Sequence, residues 1–231
     1  MERQEQTLYL IALTKIPGVG DVVAKKLIAY CGGVKEVFSQ SRSALKQIPS
    51  IGNVLASAVH GSSVLKEAEK ELSFTDKHGV QVISFLDKSY PDRLKHCVDS
   101  PIVLYTKGPA DLNPIHSISI VGTRNATRQG KELTEKMVEE LGATNITIIS
   151  GLAYGIDVAA HKAALKFSTP TIGCLAHGLD RMYPKVHAKV AKEILENGAL
   201  VTDFPIGTNP DRENFPKRNR IVAGLSDATI V

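Results

Sequence analysis

The sequence predicts an α/β fold in which a small all-helical region precedes a parallel sheet. Apolar residues recur at helical spacing over residues 7–72, and from Val80 onward short apolar runs alternate with helical stretches. The short runs are nearly continuous in Val and Ile, which is typical of parallel strands covered on both faces by helices. We therefore predict two domains, a helical one at residues 1–75 and an α/β one at residues 76–231.

The composition excludes several classes of protein. The 231 residues are 43% hydrophobic and 23% charged, which is ordinary for a soluble globular protein. No apolar run approaches the roughly 20 residues of a membrane helix, and the start, MERQEQTLYL, is too charged for a secretory signal. We therefore expect a cytoplasmic protein with no membrane partner. Cys31, Cys97 and Cys174 are far apart and odd in number, so we expect structural thiols rather than disulfides or a metal site.

The helical region contains an internal repeat. Ile16-Pro17-Gly18-Val19-Gly20 matches Ile48-Pro49-Ser50-Ile51-Gly52, and each copy lies between two short helical segments. Pro and Gly supply a turn that a helix interior would not accept. The repeat therefore predicts two helix-hairpin-helix units. Contacts with duplex DNA and a role in packing or protein interaction both stay open, because few Lys or Arg residues flank the second hairpin.

Strands and helices alternate through the rest of the chain. Apolar β-branched residues mark the strands, and longer amphipathic stretches mark the helices. The predicted strands are 80–85, 101–105, 117–121, 146–149, 171–176, 200–202 and 228–231, and the predicted helices are 128–141, 156–166, 187–197 and 218–225. Because the sequence ends inside the last strand, we expect this domain to be truncated at its C-terminal end.

The strand ends are where we expect ligands, since helix N-termini there point unpaired N–H groups outward. After the strand at 117–121 come Gly122, Thr123 and Arg124. Glycine lets the backbone approach an anion, threonine offers a hydroxyl, and arginine presents two parallel donors to a phosphate. The P-loop and GxGxxG patterns are both absent, so this is a phosphate site without a nucleotide-binding signature.

A second glycine-bearing turn, Ser150-Gly151-Leu152-Ala153 followed by Gly155, starts the next predicted helix and is a further anion site. Asp157 and His161 are four residues apart on that helix. An acid–base or metal pair is one interpretation, and a capping or structural hydrogen bond is the simpler one. Ser150 lacks the GxSxG context of a nucleophile, so we predict no catalytic residue.

Two later strand ends add basic and aromatic side chains. The first contributes Lys185 and Tyr183, whose ring either contacts a base or packs under its loop. The second contributes three cations beside an asparagine at a predicted helix start, with a solvated basic face as the alternative. The predicted phosphate-binding residues are Gly122, Thr123, Arg124, Ser150, Gly151, Leu152, Ala153, Gly155, Lys185, Lys217, Arg218, Asn219 and Arg220.

Four motifs, in order, resemble the DprA/Smf family of DNA-processing proteins. They are Ile120-Val121-Gly122-Thr123-Arg124, residues 150–157 with His161, residues 178–184 and residues 215–226, and they cover about half the chain. The resemblance implies an extended Rossmann-like domain behind a small helical domain of helix-hairpin-helix or SAM-like type. It also implies a basic pocket that binds single-stranded DNA and no cofactor.

The same resemblance implies a biological role. Members protect incoming single-stranded DNA and transfer it to the RecA recombinase during natural transformation. The family forms homodimers, and we expect that interface to be incomplete in this chain, since dimer and RecA contacts map largely to the later part of the Rossmann-like domain.

The expected mechanism is non-catalytic. Phosphates would lie on the N–H groups after the first two strand ends, with Arg124, Lys185 and Arg218 neutralising their charge. One alternative is a nucleotide or phosphoribosyl hydrolase of the lysine-decarboxylase-like group, but its GGxGT turn is missing, and Gly32-Gly33 lies in the helical part. Another is a structural adaptor that uses the helical repeat.

Overall fold

The chain divides into two units, each with its own buried core. In the computed structural model, which describes residues 2–231, the first unit comprises residues 2–87 with Val98–Val103, and the second comprises Lys88–Cys97 with Leu104–Val231. No helix among the described residues is long and apolar enough to cross a membrane.

The first unit consists mainly of short helices around an aliphatic core. Its elements are α1 (Glu2–Thr14), α2 (Asp21–Cys31), α3 (Val34–Ser39), α4 (Arg42–Lys46), α5 (Asn53–His60), α6 (Leu65–His78) and strand β1 (Gln81–Ser84). The predicted boundary at residue 75 lies inside α6. That helix continues to His78, where Gly79 adopts positive φ and donates its N–H to the Thr75 carbonyl. The first unit therefore extends beyond the predicted helical domain.

The sequence repeat forms two equivalent turns, one between α1 and α2 and one between α4 and α5. In the first, the N–H of Val19 donates to the Ile16 carbonyl at 3.0 Å, and in the second, Ile51 donates to Ile48 at 3.0 Å. The residue before each donor has positive φ, +82° at Gly18 and +70° at Ser50. Glycine adopts this conformation without strain, whereas serine does so at a cost of about 1–2 kcal/mol.

The second unit is built on a largely parallel sheet, which confirms the predicted fold class. Its strands are β2 (Val103–Lys107), β3 (Ser117–Ile120), β4 (Thr147–Gly151), β5 (Thr171–Cys174), β6 (Ala199–Thr202) and β7 (Ala228–Ile230). Their order within the unit is β2-β6-β5-β4-β3-β7. β3 to β7 run parallel, whereas β2 pairs with β6 in the antiparallel sense.

Helices cover this sheet and bury its apolar side chains. They are α7 (Asp92–Lys95), α8 (Arg128–Gly142), α9 (Ile156–Lys166), α10 (Ala188–Asn197) and α11 (Asn214–Gly224). One cluster joins Val138 of α8 and Ala160 of α9 to Ile148 of β4. Another joins Ile194 of α10 to Leu200 of β6. The loops that follow the carboxyl ends of the parallel strands form the site.

Candidate functional site

An open pocket of about 590 Å³ lies at the carboxyl ends of β3 and β4 and beside the start of α11. We call it the strand-end pocket. Its charged lining consists of Arg124, Arg212, Arg218 and Asp157. Part of the predicted phosphate-binding set lines it: Gly122, Thr123, Arg124, Ala153, Arg218 and Asn219.

An exposed cation and two aromatic rings lie in a row at this pocket. The guanidinium of Arg124 lies over the Phe215 ring, 4.6 Å from its centroid. Phe215 in turn packs against Tyr183, with 6.0 Å between the ring centroids and 56° between the planes. Tyr183 remains 43% exposed, so it packs on a neighbour and still presents part of its ring. We call Arg124, Phe215 and Tyr183 the aromatic strip.

A buried ion pair forms the floor of the strand-end pocket. Asp157 and Arg218 are 5% and 4% exposed, and 3.8 Å separates Oδ2 of Asp157 from Nη2 of Arg218. Nη1 of Arg218 also donates to the Cys174 carbonyl at 2.5 Å. The backbone N–H groups of Gly122 and Ala153 also act on the Asp157 carboxyl and lower its pKa, against the effect of burial. A charge predicted to meet a phosphate directly is therefore neutralised internally.

Burial shifts the pKa of both partners toward the neutral form. It raises the pKa of the Asp157 carboxyl, and Arg218 together with the two backbone N–H groups acts in the opposite direction. Burial also lowers the pKa of the Arg218 guanidinium, against the effect of Asp157. An arginine stays protonated in proteins, so Asp157 faces a permanent positive charge.

The start of α11 separates the four residues predicted as one basic cluster. The helix begins at Asn214, one turn before Arg218, so successive side chains of residues 217–220 point about 100° apart. Arg218 points inward, and Asn219 lines the pocket. Lys217 is exposed and 3.3 Å from Glu213, while Arg220 bonds the Asp203 carboxylate. The predicted helix start at residue 218 is wrong, because the helix begins at Asn214. Residues 217–220 therefore do not form a single basic cluster.

The turn after β4 is mostly buried scaffold. Ser150 donates its hydroxyl to the Ile120 carbonyl at 2.5 Å, and Leu152 is 2% exposed. Gly151 has no space for a Cβ, because Arg218 and Asp157 occupy it. Gly155, at φ +82°, packs directly against the backbone of the Gly122–Arg124 loop. Ser150, Gly151, Leu152 and Gly155 therefore support the pocket without lining it. Ala153 is the residue of this turn that lines the pocket.

His161 is a buried structural histidine. Its Nε2 lies 2.7 Å from the Gly151 carbonyl and its Nδ1 lies 2.8 Å from the Thr171 hydroxyl. Because a carbonyl only accepts, Nε2 carries the proton. Burial lowers the pKa of His161 to about 4, so the ring is neutral at pH 7. The described residues include no group of three or more His, Cys, Asp or Glu placed to hold a metal.

The loops after β5 and β6 are tied together. Asp180 accepts the Gly207 N–H at 3.1 Å and an Arg181 donor at 2.8 Å, and Arg181 also bonds the Asn209 side chain. The charge of Arg181 is thereby neutralised. Lys185 is exposed, two residues after Tyr183, and does not line the strand-end pocket.

The predicted phosphate-binding set leaves out Phe215 and Arg212, which both line the strand-end pocket. Both residues precede the basic segment 217–220 in the sequence. They line the pocket together with Arg124, which is far away in the sequence. An aromatic residue directly before Pro216-Lys217 was the available signal. Their role depends on α11 beginning at Asn214, which brings Phe215 under Arg124.

Comparisons with known proteins match the whole chain. The family model described as DNA recombination-mediator protein A matches residues 81–231. Protein Smf of Synechocystis sp. is 33% identical over 100% of this chain and 59% of its own length. DNA processing protein DprA of Bacillus subtilis is 38% identical over 67% of this chain and 52% of its own length. The chain thus spans between half and three-fifths of these curated relatives.

Two solved structures share the fold. DprA from Streptococcus pneumoniae superposes with a TM-score of 0.81 at 30% identity, covering 97% of this chain and 77% of that one. DprA from Helicobacter pylori, described for its single-stranded DNA binding mode, gives a TM-score of 0.57 at 32% identity, with 65% of this chain and 67% of that one covered.

Proposed function

Because the chain belongs to the DprA/Smf family of DNA recombination-mediator proteins, we propose that it binds single-stranded DNA at the strand-end pocket. The aromatic strip carries the proposal: an exposed arginine lies on one ring, and a second exposed ring stands beside it. Proteins hold single strands in this way, since bases stack on rings while phosphates pair with cations. The ligand of the Helicobacter pylori relative supports the same class.

The pocket's polar groups fit a phosphodiester. The Arg124 guanidinium lies over the Phe215 ring and its side chain is exposed, so its N–H donors can bond two phosphate oxygens. Thr123 accepts the Asn125 N–H at 3.2 Å, which leaves its hydroxyl proton to donate. Arg212 adds a second exposed cation. We propose that Lys185 continues the path of the strand past Tyr183, and that Lys217 adds a weak outer contact.

The buried predicted residues act by positioning. We propose that Ser150, Gly151, Leu152 and Gly155 hold the two loops close, and that Arg218 supports them from below. Arg220, bound to Asp203, plays the same part at the base of α11. The preference for a single strand follows from the aromatic strip, because paired bases in a duplex cannot stack on protein rings.

We further propose the biological role that the family resemblance implies. It comprises protection of incoming single-stranded DNA, transfer to the RecA recombinase and action as a homodimer. A binding role is favoured over a catalytic one because the carboxylate that lines the pocket, Asp157, pairs with the buried Arg218. Such a carboxylate is poorly placed to act as the acid or base of a hydrolase.

A titration of a labelled oligo-dT by fluorescence anisotropy tests the proposal. We expect binding that weakens with salt. Two phosphate contacts predict a slope of log K against log [salt] of about −1.4 or steeper. A hairpin duplex of equal phosphate number should bind more weakly. Absence of binding at physiological salt would favour the adaptor hypothesis, and release of base from nucleoside monophosphates would favour the hydrolase.

Replacing Phe215 by leucine is expected to weaken oligo-dT binding about fivefold, near the lower end of the 1–3 kcal/mol for a stacked base. Leucine keeps an apolar contact but offers no flat ring to a base or to Arg124. The salt slope should stay the same, since no cation is removed. Phe167→Leu is the matched control, because Phe167 also lies near a cation, Lys166, but outside the pocket. Equal effects of the two substitutions would contradict the role of Phe215.

A further inference from the structure

The deepest anion-binding position of the strand-end pocket is already filled by the protein itself. Gly122, in the loop after β3, and Ala153, in the loop after β4, line the pocket beside Asp157, and their backbone N–H groups lower the pKa of its carboxyl. The guanidinium of Arg218 lies 3.8 Å from the same carboxylate. Backbone N–H groups in strand-to-helix loops, together with an arginine, are the elements by which α/β proteins bind a phosphate.

The surrounding backbone is shaped for this arrangement. A Cβ at Gly151 would overlap both the guanidinium of Arg218 and the carboxylate of Asp157. Nε of Arg218 is buried without a hydrogen-bond partner in the described part of the chain. The arginine is therefore held with donor capacity beyond what its present partners use. We call the N–H groups of Gly122 and Ala153 with the Arg218 guanidinium the inner seat.

We propose that Asp157 determines specificity by acting as a built-in anion: it occupies the inner seat, so the pocket rejects free phosphate and phosphomonoesters and accepts only phosphodiesters held by the outer cations. This rests on the proposed function. A free nucleotide depends on its terminal phosphate for affinity. At the inner seat that phosphate would be repelled by the like charge of the Asp157 carboxylate. A DNA strand does not depend on this position, because Arg124, Arg212 and the aromatic strip lie outside it.

Chemical rescue tests the proposal. In the full chain, Asp157→Ala empties the inner seat and opens it to the adjoining pocket. We expect the melting temperature to fall in chloride buffer and to recover in inorganic phosphate at matched ionic strength. At ten times its dissociation constant, phosphate should raise the melting temperature by about 3–6 °C more in the variant than in the wild type. The wild-type shift corrects for the general stabilising effect of phosphate on proteins.

A control and a second variant keep the result decisive. Asp227→Ala removes another carboxylate that pairs with an arginine, Arg93, and accepts a backbone N–H, from Ser117, but it is 47% exposed; it should show only the wild-type shift. Asp157→Ser leaves a smaller polar side chain at this position and serves if the alanine variant does not fold. A folded Asp157 variant with no phosphate-specific shift beyond the wild type would overturn the proposal.

Competition separates this proposal from the binding function. Thymidine monophosphate should displace labelled oligo-dT from the Asp157 variant at a concentration at least about tenfold lower than from the wild type, the effect of one added charge-assisted phosphate contact. If the wild type fails to bind oligo-dT while phosphate rescues the variant, the proposed function fails and the inner seat stands. If the wild type binds oligo-dT and thymidine monophosphate competes equally with both proteins, only the specificity role fails.

Discussion

Replacing Arg124 by alanine is expected to weaken binding of single-stranded DNA about 10- to 100-fold, the loss of one charge-assisted contact to phosphate. The salt slope should fall by about 0.7 for the lost phosphate contact. Arg124 carries this effect because it is exposed at the pocket and fixed on the Phe215 ring. Anisotropy titrations of oligo-dT at several salt concentrations measure both quantities.

Arg128→Ala is the matched control for this experiment. It removes the same charge close by in sequence, from a side chain that is 92% exposed and pairs with Glu132 outside the pocket. Its affinity should stay within about twofold of the wild type and its salt slope should be unchanged, as expected for a distant exposed charge. If both variants lost affinity equally, net charge rather than the pocket would govern binding. Arg124→Lys should show an intermediate loss, since lysine keeps the charge but not the planar stack.

Replacing Arg218 by methionine is expected to lower the free energy of unfolding by about 3–5 kcal/mol, because it leaves Asp157 as an unpaired buried charge. Domains have a total stability of only about 5–15 kcal/mol, so this variant approaches the limit of folding. Urea unfolding followed by circular dichroism measures the loss. The loss should be smaller at acidic pH, since protonation of Asp157 removes the unpaired charge and burial already raises the pKa of this carboxyl.

Lys217→Met provides the comparison on the same helix. Lys217 is exposed and pairs with Glu213 at the surface, where such pairs contribute about 0–1 kcal/mol. Lys217→Met should therefore lower the free energy of unfolding by less than about 1 kcal/mol. An equally small loss for Arg218→Met would mean that water reaches Asp157 and that the ion pair is not buried.

The position of the site could be predicted from the sequence because strand ends in a parallel sheet meet at one edge. Gly122, Thr123 and Arg124 directly follow an apolar strand, and the structure brings them into one pocket with Ala153 from the next strand end. Local patterns suffice here, since both loops are short and follow buried strands whose register the sheet fixes.

The direction of individual side chains could not be predicted in the same way. A helix that begins at Arg218, after Pro216, would direct this side chain toward a ligand. Proline is tolerated in a first helical turn, and the helix begins one turn earlier, at Asn214. Asp157 lies beside Gly122 and Ala153, where the sequence predicts a phosphate, because two loops distant in sequence approach each other. Such a contact leaves no periodic signal.

The hydrogen bonds between the loops after β5 and β6 have a consequence for how the site responds to change. Asn209 does not line the strand-end pocket, yet it bonds Arg181, two residues before Tyr183, and lies three residues before Arg212. The distance between the Tyr183 ring and the Arg212 guanidinium therefore depends on Arg181 and Asn209, which lie outside the pocket. Divergence at such supporting positions can alter the spacing at which successive nucleotides are held while every contacting residue is retained.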